Sequence, residues 1–198
     1  MPTHRTPRKW AVVDTAEQYQ ARLAAGDRRI DVRRLLTENP EPQAELIDLG
    51  SIPVGVEVRV SGIAAARVTG GSVLVTDAGH VEAIGDTTVH AYGTATVIAF
   101  DTTAITGNNH TRITICDHAR AVGYDHTAIA AWDTTTTRAH HHTTVVTSAA
   151  GTDGEPTVHL TDHAWLYTDT RLHVTGPARD HITIADDPYS SAPIDLTY

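Results

Sequence analysis

From Val81 onward the chain alternates apolar and polar residues and restarts the pattern every eight positions. The units read VEAIGDTT, VHAYGTAT, VIAFDTTA, ITGNNHTR, ITICDHAR, AVGYDHTA, IAAWDTTT and TRAHHHTT. Position one is Val or Ile in six of the eight units, and position three is Ala or Gly in seven. Position five is Gly, Asp or Asn in seven, and position seven is always Thr or Ala. A helix does not keep a face at this period, because two turns take about 7.2 residues. Alternation by two is the strand period, and Gly, Asp or Asn after it supplies a turn. Each octad therefore predicts a short strand with positions one and three pointing inward, followed by a tight corner. Val and Ile fill the interior, while Ala and Gly let the opposite walls approach, so the cross-section should be flat and narrow.

Alternate octads differ. At position four one set gives Ile84, Phe100, Cys116 and Trp132, and the other gives Tyr92, Asn108, Tyr124 and His140. At position six the second set gives Thr94, His110, His126 and His142. The true period is thus sixteen, with two octads per coil and two unlike faces. This predicts an all-β fold, a single-chain parallel β-solenoid (β-helix) with about 16 residues per coil.

The flanks read as caps and less regular coils. Residues 15–25 predict a capping helix, with Asp14 as N-cap and Gly26 as the stop. RRIDVRR (28–34), LIDL (46–49) and VEVRVSG (56–62) read as strands of early rungs. AAGTDGEPT (149–157) is a loop, and VHLTD, LHVTG and ITIAD carry the motif on to residue 186. The expected organisation is a capping segment with the first irregular rungs over 1–57, regular octads over 58–148, and a loop, irregular rungs and tail over 149–198. The tail is expected to be extended or to cap the C-terminal end.

Composition agrees with a thin interior. Threonine occurs 31 times, while Phe, Met and Lys occur once each. One cysteine excludes a disulfide framework and a Cys-rich zinc site. No apolar run has transmembrane length, and the N-terminus lacks a signal-peptide pattern. The expected location is the cytoplasm or a phage or injection particle. Residues 1–50 are neutral, so the whole net charge of −9 falls on residues 51–198, which disfavours nucleic-acid binding.

The V-x-A-x-G/D-x-T/A-x octads over about residues 58–186 resemble octapeptide-repeat β-solenoid proteins of actinobacterial and phage type, for which activity is generally unassigned. The helix–Gly–strand opening resembles the capping helix of right-handed parallel β-helix proteins. The octads also resemble those of the triple-stranded helix of contractile-tail spikes. That helix requires Gly at position three, met here only by Gly107 and Gly123.

Three surfaces are candidates. Ile84, Phe100, Cys116 and Trp132, with Ile98, Ala130 and Val146 beside them, form an outward apolar patch that needs a cover. Either the C-terminal tail supplies that cover, or a homodimer or protein partner does. Tyr92, Asn108, Tyr124 and His140 form a polar row suited to a glycan. His110, His126 and His142 stack in a column. Imidazole is a common metal ligand, but no third ligand type completes a recognised spacing, so no metal and no cofactor is expected. The Asp residues fall at corners, and no nucleophile or metalloprotease motif is present, so no catalytic residue is assigned. The expected function is a non-catalytic structural or interaction module of phage or mobile-element type, self-associating or binding a partner through the apolar face. A glycan-binding module is the alternative and an acidic DNA mimic the third reading; nucleic-acid and membrane partners are not expected.

Overall fold

The computed structural model describes residues 9–35, 45–148, 154–169, 172–178 and 181–184. In chain order the first elements are β1 (Ala11–Val13), α1 (Ala16–Ala24), β2 (Arg29–Arg34), β3 (Ile47–Ser51), β4 (Glu57–Gly62), β5 (Ala65–Val75) and β6 (His80–Ala83). The repeat region adds β7 (Thr87–Ala91), β8 (Thr96–Ala99), β9 (Ala104–Gly107), β10 (Arg112–Ile115), β11 (Arg120–Gly123), β12 (Ala128–Ala131), β13 (Thr136–Ala139) and β14 (Thr144–Thr147). It ends with β15 (Thr157–Leu160), β16 (Trp165–Thr168), β17 (His173–Thr175) and β18 (Ile182–Ile184).

Every strand pair among the described residues is parallel, and the strands alternate between two sheets. Sheet A runs β1, β2, β4, the second half of β5, then β7, β9, β11, β13, β15 and β17. Sheet B runs β3, the first half of β5, then β6, β8, β10, β12, β14, β16 and β18. In the regular part Thr96 pairs Arg112 and Arg112 pairs Ala128, a step of sixteen residues. The chain is an all-β parallel β-solenoid of about 10 coils, and among the described residues it has one short helix, near the N-terminus. Coiling starts well before residue 58, since β1 already pairs β2 and β2 pairs β4. Between β13 and β15 the step lengthens to 21 residues, which accommodates the expected loop.

The core has three inward rows per octad, not two. Positions one and three are buried throughout, for example Val97, Ala99, Ile113 and Ile115 at 0% exposure. Position seven is buried as well, as Thr87, Ala95, Thr103, Thr111, Ala119, Thr127, Thr135 and Thr143. At three of the six threonines the hydroxyl donates to the position-four carbonyl of its own corner, Thr111 pairs instead with Thr127 at 3.1 Å, and the Thr135 and Thr143 hydroxyls have no partner among the described residues. Thr87 bonds Ile84 at 2.6 Å, Thr103 bonds Phe100 at 2.7 Å and Thr127 bonds Tyr124 at 2.7 Å. A buried hydroxyl without such an acceptor costs free energy, whereas Ala has none to satisfy.

Volumes across the narrow core are matched large against small. A Cβ added at Gly107 would lie 2.6 Å from Ile113 Cδ1, and one added at Gly123 would lie 2.9 Å from Ile129 Cδ1. Gly at position three therefore serves close approach of the walls, as the octad pattern implies.

Position five is left-handed in every regular octad, with φ between 54° at Asp133 and 77° at Gly93. His141, the exception in type, takes the same conformation at φ 55°. Gly has no Cβ penalty there, and Asp and Asn tolerate it better than other side chains.

At the N-terminal end, α1 caps the stack with Tyr19 fully buried and Leu23 packed against the core. The N-cap is Thr15, not Asp14: the Thr15 hydroxyl accepts the Gln18 amide at 3.2 Å. The Asp14 amide instead donates to the Gln18 side chain at 3.1 Å, a variant of the reciprocal capping pattern. Gly26 ends the helix at φ 82°, with Gly26 N–H bonded to Leu23 O and Asp27 N–H to Arg22 O. That pair of bonds is the Schellman stop.

Candidate functional site

The solenoid has four lateral surfaces: two sheet faces and two corner edges. Strand alternation sends the octads' positions eight and two outward on the faces, and the corners present positions four to six on the edges.

The edge that follows sheet B carries the apolar column. Ile84, Phe100, Cys116 and Trp132 stand at equivalent positions one coil apart, each half-buried. The amides of Phe100, Cys116 and Trp132 bond Ala83, Ala99 and Ile115 of the preceding coil at 3.0 Å, which fixes the column. Burial pushes the Cys116 thiol up to about 11, with the charges of Asp133 and Asp117 adding to it. A thiol in that state is a poor nucleophile.

The apolar patch does not extend as far as the sequence suggests. Ile98 is half-buried on face B, but Ala130 is 3% exposed and Val146 is 0% exposed. Both point away from the coil interior and are nevertheless sealed within the single chain, as is Ala128 beside them. They are corrected from interface positions to buried ones. The C-terminal tail expected as a cover lies outside the described residues.

The edge that follows sheet A carries the polar residues. Tyr92 is exposed, while Tyr124 and His140 stack on each other with ring centroids 4.9 Å apart. Each ring thereby spends one face on the other, which leaves less stacking area for a sugar than the row implies. Asn108 is held between the coils by its amide bond to Ala91 O at 3.0 Å. Burial lowers the His140 pKa against the opposing charge of Asp162, and His140 Nδ1 hydrogen-bonds Thr161 Oγ1 at 2.7 Å.

The histidine column is real and one member longer than the sequence suggests. His110, His126, His142 and His163 stack face to face at 5.1, 5.2 and 5.4 Å. The fourth ring escaped notice because the long step between β13 and β15 breaks the octad count before it. Among the described residues no group of three or more His, Cys, Asp or Glu side chains converges to hold a metal ion. The column borders an open hollow with Asn109, Asp125, His141 and Asp162.

The corner carboxylates have a structural task. Asp101 accepts the Gly85 amide at 3.0 Å, Asp117 accepts that of Asp101 at 3.1 Å, and Asp133 accepts that of Asp117 at 3.2 Å. On the other edge Asp162 does the same for the His141 amide at 3.2 Å.

Two features were missed from sequence. The first lies on face A of the early coils. Asp31 is fully buried although it points outward, and Arg59 grips it with two hydrogen bonds at 3.0 and 2.7 Å. Ser61 donates a third at 2.8 Å, Arg33 forms an ion pair with it, and Trp10 lies over Arg59 at 4.7 Å. Burial by itself would raise the Asp31 pKa, but these bonds and the charges of Arg59 and Arg33 outweigh it and hold it low. The second feature is face A of the later coils. From β7 to β17 its outward residues are Thr, His, Ala, Val and Arg, with no carboxylate. Its signal was the absence of Asp and Glu from positions eight and two of alternate octads.

These observations define the chain as a parallel β-solenoid. No protein-family model, curated protein or solved structure matches it. No helix of the described residues is long and apolar enough to cross a membrane.

Proposed function

We propose that the chain is a non-catalytic structural and interaction solenoid that pairs with a second copy of itself through the apolar edge. One observation carries this reading. The apolar column Ile84, Phe100, Cys116 and Trp132, with Ile98 beside it, is left half-open, whereas Ala128, Ala130 and Val146 on the adjoining face are sealed. Apolar surface of this kind is stabilised by burial, and a twofold contact uses the same strip twice. The open strip is short, so the dimer is expected to be concentration-dependent. A stiff, self-pairing rod agrees with the resemblance of the octads to phage proteins.

Sedimentation velocity across the micromolar range tests it. The wild-type chain should move from monomer to dimer, and Phe100→Arg with Ile98→Arg should stay monomeric at every concentration. A wild-type chain that remains a monomer throughout, or a variant that dimerises equally well, would remove the proposal.

A further inference from the structure

We infer that face A of the later coils is a binding track for an extended, sparsely charged acidic glycan, with Arg120 and Arg138 pairing its carboxylates. This does not rest on the apolar edge, which borders the face but contributes no residue to the site.

The argument begins with charge. The chain carries −9 overall, yet the outward positions of β7, β9, β11, β13, β15 and β17 include no Asp or Glu. In the early coils the outward arginines are paired: Arg29 with Glu57, Arg33 and Arg59 with Asp31, and Arg67 with Glu82. The side chains of Arg120 and Arg138 are exposed and form no ion pair or hydrogen bond among the described residues. The register places them in adjacent coils, with Arg120 beside Thr136 and Arg138 beside Val122. Stacked strands lie ~4.8 Å apart and same-face residues roughly 6.6 Å apart along a strand, so the two stems are diagonal neighbours. A guanidinium prefers a planar, bidentate acceptor such as a carboxylate.

The surroundings suit a sugar. A hollow of about 380 Å³ is lined by Arg120 and Arg138 together with Thr88, Thr106, Thr136 and Val122. The corner threonines Thr94 and Thr134 spend their hydroxyls on backbone carbonyls, but those of Thr88, Thr106 and Thr136 hold no such bond. A second hollow, of about 450 Å³, shares Thr136 and Arg138 and continues past His159. The track therefore runs along the solenoid axis across successive coils. Its step of ~4.8 Å per coil is close to the length of one pyranose unit, so an extended glycan meets one coil per sugar, with the hydroxyls of Thr88, Thr106, Thr136 and Thr157 on four coils and Arg120 on the coil between Thr106 and Thr136.

The charge must be sparse. Asp101, Asp117 and Asp133 line one flanking edge, and Asp125 and Asp162 the other. A polymer charged at every step, such as single-stranded DNA, meets that field on both sides of only two arginines. A glycan with occasional uronates places its carboxylates on the arginines and neutral hydroxyls elsewhere.

Isothermal titration with oligogalacturonate and with mixed uronate–neutral oligosaccharides tests the site, beside their carboxyl-reduced counterparts and oligo-dT. The full chain should bind a carboxylated glycan, and binding should fall at least tenfold on carboxyl reduction and again with Arg120→Gln plus Arg138→Gln. Both side chains are exposed, so the variant should keep the wild-type melting temperature, which circular dichroism checks. No binding of any uronate glycan at millimolar concentration overturns the inference. So does binding that the double variant leaves unchanged, or tighter binding of oligo-dT than of every glycan.

Discussion

The carboxylate of Asp117 accepts the amide N–H of Asp101, its equivalent in the preceding coil, at 3.1 Å. Both residues are left-handed, at φ 58° and 56°. One side chain thus satisfies the backbone of the coil before it while its own backbone turns the corner. This double requirement explains why Asp outnumbers Gly at position five. Asp117→Ala should destabilise the chain by about 1–2 kcal/mol, because Ala resists the left-handed conformation and leaves the Asp101 amide to water. Asp117→Gly relieves the backbone but not the amide and should fall between Ala and wild type. Urea unfolding reads the order; equal midpoints for Ala and wild type would show that the corner bond is idle.

The narrow core makes a second prediction. In Gly107→Ala the new Cβ would sit 2.5 Å from Thr111 Oγ1 and 2.6 Å from Ile113 Cδ1, far inside contact distance. Overpacking of this kind costs about 1–3 kcal/mol. Ile113→Val deletes the Cδ1 methyl, so it should be destabilising alone and partly compensating beside Gly107→Ala. A double-mutant cycle measures that coupling. Strict additivity would mean that the two walls do not touch where the geometry says they do.

How far the fold could be read from sequence depends on what each feature repeats. The coil length was legible because inward positions one and three and the corner recur at fixed offsets. The third inward row was present in the pattern too, as the unbroken Thr or Ala of position seven. Thr is ordinarily a surface residue, and what makes it acceptable inside, hydroxyl donation to corner carbonyls by Thr87, Thr103 and Thr127, is not visible in the pattern. Strand β5 was illegible for the opposite reason. It runs eleven residues through both sheets and bends at Gly71, φ 87°, with no octad corner to mark it. The surfaces divide similarly. The apolar and histidine columns follow from the superperiod, whereas the sealing of Ala130 and Val146 depends on what packs over one face, which no period encodes. The Asp31–Arg59 pair needs the register of β2 on β4, a step of 28 residues where the octads lead one to expect sixteen.

Two histidines set a pH dependence. Burial lowers the pKa of His80 against the charge of Glu82, and that of His140 against the charge of Asp162. The unfolded chain, with histidine near 6.5, therefore takes up protons before the folded one does. The stability they contribute is complete above about pH 6.5 and is lost as pH falls through the lower folded values. The melting temperature should drop between pH 7 and pH 5, and His80→Gln with His140→Gln should flatten that limb. An unchanged slope in the double variant would assign the acid sensitivity elsewhere.

The Asp31 cluster acts lower on the pH scale. Its carboxylate is completely buried, and it is neutralised by Arg33, two residues along its own strand, and by Arg59, its register partner in the next coil. Removing one partner of a buried pair strands the other charge and costs about 3–5 kcal/mol, reduced here because Arg59 keeps 24% of its side chain exposed. Asp31→Asn should therefore lose about 2–3 kcal/mol at neutral pH. The folded pKa of Asp31 is depressed, so its contribution is present above the unfolded value near 3.9 and is lost as pH falls through the folded one. Below that range wild type and Asp31→Asn should converge, and above it they should run parallel. Denaturant midpoints from pH 2 to pH 7 give both limbs. A constant gap at every pH would mean that Asn fails for its shape, and no gap at neutral pH would mean that the ion pair contributes nothing to holding the first coils together.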